Sequence, residues 1–472
     1  MLPDDVLLEI FDFCADEEQF TKKQVEAWLS LVHVCRLWRG IVFRSPRRLN
    51  LRLVCTPGTP VRDTVDVWPA LPLLIRVEGS DTLDMNNIIS VFERDVRVSQ
   101  IKFVGIPGLQ LERVSAAMQG PFPELIHLEL SSNDKTVPPV LPDSFLGEFA
   151  PSSLRFLLLS RISFPSFKLL SILLSATHLV DLHLLEIPNF SYISPEAMLG
   201  ILITLTNLES LSLKFQSPRF PRPQAYYRSR STHFVVLRVL PVLTRFWFKG
   251  ENEYFDDLVT SIDSPQLEYL DIIFFNDLIF DIPQLLQFIT RTPMLNAPEK
   301  ARISFGHGAA RINLLSQSSG YGELIVEISC RGPDWQISSL EQVCTTCWPL
   351  LSIGTLKDLC IFEHPYSQPD WQGGIQDGLL WQDLWVELFG PFTDVKNLYL
   401  SEVFAPHIVL ALHWQGVVVG RTTAAFPALE NIFFKELQPS GAIQKAIGEF
   451  VDMREITGHP IVVSRWDGRS RF

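Results

Sequence analysis

Long apolar runs are missing from this 472-residue chain: no window of about eighteen apolar residues occurs, so no segment is predicted to cross a bilayer as a helix. No charged-then-apolar leader precedes the first helix, and no signal peptide is expected. Basic charge is also short. Lys and Arg total 40 against 53 Asp and Glu, a net charge of −13, which lacks the basic footprint that general nucleic-acid binding needs. The acidic surplus is not at the front, because residues 1–55 hold eight acidic and eight basic side chains. Cysteines are few. Seven, an odd number at irregular spacing, exclude a regular disulfide framework and predict reduced thiols in the cytoplasm or nucleus.

Catalytic signatures are equally scarce. Cys344-x-x-Cys347 has no second Cys or His pair at zinc spacing, and Trp348-Pro349 follows it, which favours a half-buried helix. Gly306-His307-Gly308 is too short to cradle phosphate, and there is no Gly-x-x-x-x-Gly-Lys-Ser/Thr loop. No Gly-x-Ser-x-Gly elbow or His-Glu-x-x-His helix occurs. His407 and His413 stand six apart, on different helix faces. Asp256-Asp257 falls near a helix start, where the dipole accounts for it. The expectation is a protein that is not an enzyme, with no cofactor and no metal.

What the chain has is apolar surface. Such residues make up 47% and charged ones 20%, and the length exceeds one compact core. Near the start, Leu2-Pro3-Asp4-Asp5 opens a helix with an apolar stripe through Val6, Ile10 and Phe13, flanked by Leu7, Phe11 and Cys14. A second striped segment runs through Trp28, Leu31, Val32, Cys35, Trp38 and Val42. About forty residues with this much apolar face cannot bury it alone. One reading makes them a helical hairpin of a larger core; the other gives them a separate partner.

The order Leu2-Pro3, Ile10-Phe11, Leu31, Val34-Cys35-Arg36-x-Trp38, then Ser45-Pro46 and Leu49-Leu51, resembles the F-box over residues 1–50. The stretch Cys14 to Val25 is longer and more acidic than in many F-boxes. The resemblance implies docking to a Skp-type adaptor, and through it to a cullin ubiquitin ligase. It places Leu2, Pro3, Ile10, Phe11, Leu31, Cys35 and Trp38 at that contact.

From about residue 70 a second pattern repeats: apolar, two variable, apolar, one variable, apolar. Copies begin at Leu125, Leu154, Leu179, Leu208, Leu243, Leu267, Leu356, Val395 and Leu429, with an earlier one at Val98 and a worn one at Leu73. Successive starts from Val98 to Leu267 lie 24 to 35 residues apart, and the pattern resembles degenerate leucine-rich repeats. The alternation predicts a short strand per copy, its two leucines inward. Helices are predicted between strands at Phe167–Ala176, Pro195–Leu205, Phe255–Ile262 and Pro283–Arg291. A strand and helix cannot close a core alone, so neighbours must stack. No clear copy lies between Leu267 and Leu356. The usual turn Asn occurs only at Asn133.

The expected fold is α/β: a helical F-box-like module at 1–50, a linker at 51–69, and a curved solenoid at 70–437 with parallel strands inside and helices outside. Insertions fall near 217–233, basic and proline-rich, and near 364–378. A capping helix, Ala442–Met453, and a tail complete 438–472. The F-box and repeat order together, with the Trp68-Pro69-Ala70-Leu71 lead-in, resembles F-box substrate receptors expanded in mushroom-forming fungi. Such a receptor recognises a target protein through outward strand positions; Arg245, Trp247, Tyr269, Asp271, Tyr399 and Phe433 are the candidates. The alternative is a repeat scaffold outside the ubiquitin system, its N-terminal helices serving as a cap.

Overall fold

The computed structural model describes residues 3–15, 27–46, 48–49, 51–58, 71–79, 84–94, 97–147, 151–217, 237–275, 283–316, 322–347, 356–364, 381–417, 425–435 and 442–466. Leu2, most of the expected linker, residues 218–233 and 365–378 of the insertions, and the tail 467–472 lie outside them. The chain divides into two compact units, the first centred on residues 1–193 and the second on 209–472.

Among the described residues the first unit opens with three helices, α1 (Asp4–Ala15), α2 (Ala27–Val34) and α3 (Arg36–Arg44), that pack on one another. Pro3 supports the start of α1, its carbonyl accepting from the Val6 and Leu7 amides. Leu7, Leu8, Phe11, Leu31, Val32, Ile41 and Val42 fill the space between the helices. Six strands follow: β1 (Leu53–Cys55), β2 (Leu73–Glu78), β3 (Val98–Ile106), β4 (His127–Ser132), β5 (Phe156–Ser160) and β6 (Asp181–Ile187). Adjacent strands pair in parallel, in chain order. Residues 51–58 are therefore not a linker. Leu53 and Cys55 are buried against Leu73 and Ile75, because a two-residue alternation of apolar side chains pairs with β2 like any later copy.

Helices α4 (Asn86–Arg94), α5 (Gly108–Ala117) and α6 (Ser166–Ser175) sit between strands of this unit. Helix α7 (Pro195–Leu202) spans the division between the units. Register explains the leucine spacing. Leu128 lies between Ile101 and Leu157, and Leu157 lies beside Leu182, so each inward position stacks on its equivalent next door. All three apolar positions of all nine copies are buried. Each such side chain contributes roughly 1.5–3 kcal/mol through burial.

In the second unit β7 (Ser210–Phe215), β9 (Arg245–Gly250) and β11 (Tyr269–Phe274) continue the parallel pattern. Two short strands, β8 (Arg238–Val239) and β10 (Ile262–Asp263), pair separately. Helices α8 (Asn252–Thr260) and α9 (Pro283–Arg291) pack together. The all-parallel expectation then fails. Strands β12 (Lys300–Phe305), β13 (Ala310–Ser316) and β14 (Gly322–Ile328) form an antiparallel meander, with β14 beside β11 and β12 beside β15 (Asp358–Glu363). Gly306-His307-Gly308-Ala309 is the cause. It closes a tight turn, Gly306 N donating to the Ala309 carbonyl at 2.9 Å, too short for a helical crossover. Gly322 starts β14 where a Cβ would run into the Met294 carbonyl oxygen.

After α10 (Pro333–Cys347) and β15, helices α11 (Gln382–Phe389) and α12 (Ala405–Val417) alternate with β16 (Asn397–Leu400) and β17 (Asn431–Lys435). Cys344 is buried in α10. The expected capping helix forms as α13 (Ala442–Ile456), held by Arg454, whose Nη2 donates to the Leu429 and Pro427 carbonyls at 3.1 and 3.3 Å. It does not end the array. β18 (Val462–Trp466) follows and pairs in parallel with β17, so 442–466 is another helix–strand unit. Its two adjacent valines, exposed on an edge, do not carry the leucine spacing. Among the described residues no helix is long and apolar enough to cross a membrane.

Candidate interaction surfaces

The N-terminal helices sort the expected adaptor contacts into two sets. Phe11 and Leu31 are buried inside the helical cluster, and Phe11 meets Trp38 edge-on at 4.8 Å. They hold the module together rather than face a partner, which corrects their assignment to the contact. Helices this short need such an internal core, and α1 supplies it from Leu7, Leu8 and Phe11. Pro3, Ile10 and Cys35 are exposed and Trp38 is half-buried. Cys35 caps α3, its Sγ accepting from the Trp38 amide at 3.4 Å, and Arg39 Nε donates to the Val32 carbonyl at 2.9 Å. Val6 and Ile10, one turn apart on α1, are each 42% exposed; Val34 is 58% and Leu37 39% exposed. Val6 was legible as part of the first apolar stripe. Leu37 was not, because it falls off the spacing of the second.

The outward strand positions form two further surfaces, one per unit. In the first, the His127 ring stacks on Phe156 at 4.0 Å with 4° between planes, and His183 lies 5.4 Å from Phe156. His127 Nε2 is 3.5 Å from Glu129, and the imidazole beside it holds the Glu129 carboxyl below the ordinary range against the effect of burial. Phe156 was missed in the sequence, since an apolar residue inside an apolar pattern gives no sign that it points outward.

In the second unit Arg245, Trp247, Tyr269 and Asp271 do come together. Parallel register sets Arg245 beside Tyr269 and Trp247 beside Asp271. The Trp247 and Tyr269 rings are 5.3 Å apart, and the Arg245 guanidinium lies 6.0 Å from the Trp247 ring centre. Glu323, Glu327, Asn313 and Arg311 arrive from the meander that the repeat pattern did not foresee. Asn313 Nδ2 donates to Glu323 at 2.6 Å, and Arg311 pairs with Glu327 at 3.8 Å. Burial, with Asp271 and Glu323 nearby, pushes the Tyr269 hydroxyl up to about 12.

Burial also raises the Asp271 carboxyl, against the pull of Arg311 and Lys214. A folded pKa above the unfolded one favours folding below the unfolded value, and that contribution is lost as pH rises through the folded value. Asp271→Asn is therefore expected to raise Tm at about pH 7 and to lose the gain on descent toward about pH 4. Thermal melts at the two pH values check this; an equal gain at both would contradict it.

Tyr399 and Phe433 fare differently. Their rings stack at 4.6 Å with 11° between planes, and Trp466 of β18 meets Tyr399 edge-on at 5.4 Å. Tyr399 is buried as a result and is corrected from contact residue to support, while Phe433 stays half-buried. Beside them Asn397 Nδ2 donates to Asp358 at 2.7 Å and Asn431 Nδ2 to Asn397 at 2.8 Å, a polar ladder that fixes the register of three strands.

These units make a mixed α/β protein whose mostly parallel strands carry a leucine-repeat pattern. No protein-family model matches the chain, and no curated protein matches it. Among solved structures it is similar to the leucine-rich repeat-containing protein LegL7 from Legionella pneumophila, at 12% identity over 87% of this chain and 98% of that one, with a TM-score of 0.28. Superposition that loose adds nothing to the architecture, which follows from the strand register itself.

Proposed function

We propose that this chain is a non-catalytic substrate-recognition subunit of a Skp–cullin–F-box ubiquitin ligase. Its N-terminal helices take a Skp-type adaptor, and its outward strand positions take a target protein. The observation that supports this reading is the exposure of Val6, Ile10, Val34 and Leu37 on a module that already has its own packed core. A solenoid cap would turn such side chains onto the first strands; a docking module leaves them for another chain. The ligase contribution is then positional: it raises the effective concentration of a target lysine near a charged E2.

Co-expression with a Skp-type adaptor is expected to yield a stable binary complex. A Val6→Glu, Ile10→Glu double variant should lose it, since two charges cannot be desolvated in an apolar contact without large cost. Both side chains are exposed, so the variant should keep the wild-type circular dichroism. Equal co-purification of the two proteins would remove the adaptor assignment and leave the repeat scaffold as the reading.

A further inference from the structure

We infer that the first unit carries a binding site for a phosphate monoester where the chain enters β4, β5 and β6. A cleft of about 330 Å³ lies there, lined by Ile126, Ser152, Ser153, Arg155 and His178. Ile126 immediately precedes β4, residues 152–155 lead into β5, and His178 comes just before β6.

The backbone of the site is fixed. Arg155 N donates to the Ile126 carbonyl at 2.8 Å, and Val180 N to the Arg155 carbonyl at 2.8 Å. Ser153 Oγ braces the same loop, 2.7 Å from the Pro123 carbonyl and 2.9 Å from that of Leu125. The side chains of Arg155 and His178 are exposed and make no hydrogen bond or ion pair among the described residues. Some other cations of this unit are ion-paired. Arg48 pairs with Glu9 and Arg76 with Glu78. Among the described residues the lining contains no carboxylate, in a chain whose net charge is −13.

The chemistry fits one ligand class. A guanidinium offers a planar fork of donors that matches two phosphate oxygens, and imidazole and the Ser152 hydroxyl add further donors. The volume falls near the lower end of small-molecule sites and exceeds what a bare oxyanion fills. Ile126, 43% exposed, supplies an apolar wall for the group that carries the phosphate. A free organic phosphate and a phosphorylated side chain present the same chemistry. This inference does not depend on the adaptor reading.

Calorimetric titration of the full chain tests it, with inorganic phosphate, phenyl phosphate and an alanine-flanked phosphoserine peptide as probes. Phenyl phosphate or the peptide should bind saturably, about tenfold more tightly than inorganic phosphate, and the tighter of the two identifies the source. Arg155→Gln should weaken that binding at least about tenfold and His178→Gln several-fold, with Tm unchanged in both because the side chains are exposed. No saturable binding of any probe, or equal affinity in wild type and Arg155→Gln, would overturn the site.

Discussion

Leu128→Asp is expected to cost the first unit about 4 kcal/mol or more and to open its sheet to protease around β4. Leu128 has no exposed surface and lies in register between Ile101 and Leu157, each buried in turn. A carboxylate there loses its hydration without gaining a partner, an effect of several kcal/mol that no nearby rearrangement offsets. Leu211→Asp should act the same way in the second unit, where Leu211 pairs with Phe246. Circular dichroism melts and limited proteolysis read both. Wild-type melting and cleavage in the two variants would contradict the leucine ladders.

A Trp247→Ala, Tyr269→Ala double variant should carry the largest effect on recognition. The two half-buried rings meet on the outward face of β9 and β11, between Arg245 and Asp271. Aromatic anchors beside charge are the usual seats of binding energy, and losing one costs about 2 kcal/mol or more, roughly thirtyfold in affinity. The ring–ring contact itself contributes only about 0.5–1.5 kcal/mol to the fold beyond the area the rings bury. The variant should keep adaptor binding and most of its thermal stability while its target disappears from a proximity-labelling comparison. Loss of stability together with the target would assign the rings to the fold instead.

Much of the strand layout was legible because its cause is local. A period of two in short segments fixes which side chains face inward, and every copy from Val98 to Leu429 is a buried strand. Arg245, Trp247, Tyr269 and Asp271 could be grouped for the same reason: parallel register in successive copies places equal positions side by side. The meander was not legible. Lys300–Phe305, Ala310–Ser316 and Gly322–Ile328 alternate like ordinary strands, and only pairing decides their direction. Their arrival brought Glu323, Glu327 and Arg311 beside the expected cluster. β1 and β18 were missed because Leu53-Val54-Cys55 and Val462-Val463 lack the leucine spacing, and β18 in turn buried Tyr399. In the N-terminal helices the composition of the apolar stripe was readable, but its division was not. Which of Ile10 and Phe11 turns inward depends on how α1 lies against α3, a tertiary fact.

Hydrogen–deuterium exchange of the full chain, with and without a Skp-type adaptor, tests the central claim most directly. Adaptor binding should slow exchange in residues 3–15 and 27–44, around Val6, Ile10, Val34 and Leu37, and leave β9 and β11 unchanged. Unaltered exchange across α1, α2 and α3 at saturating adaptor, or protection confined to the strands, would contradict it.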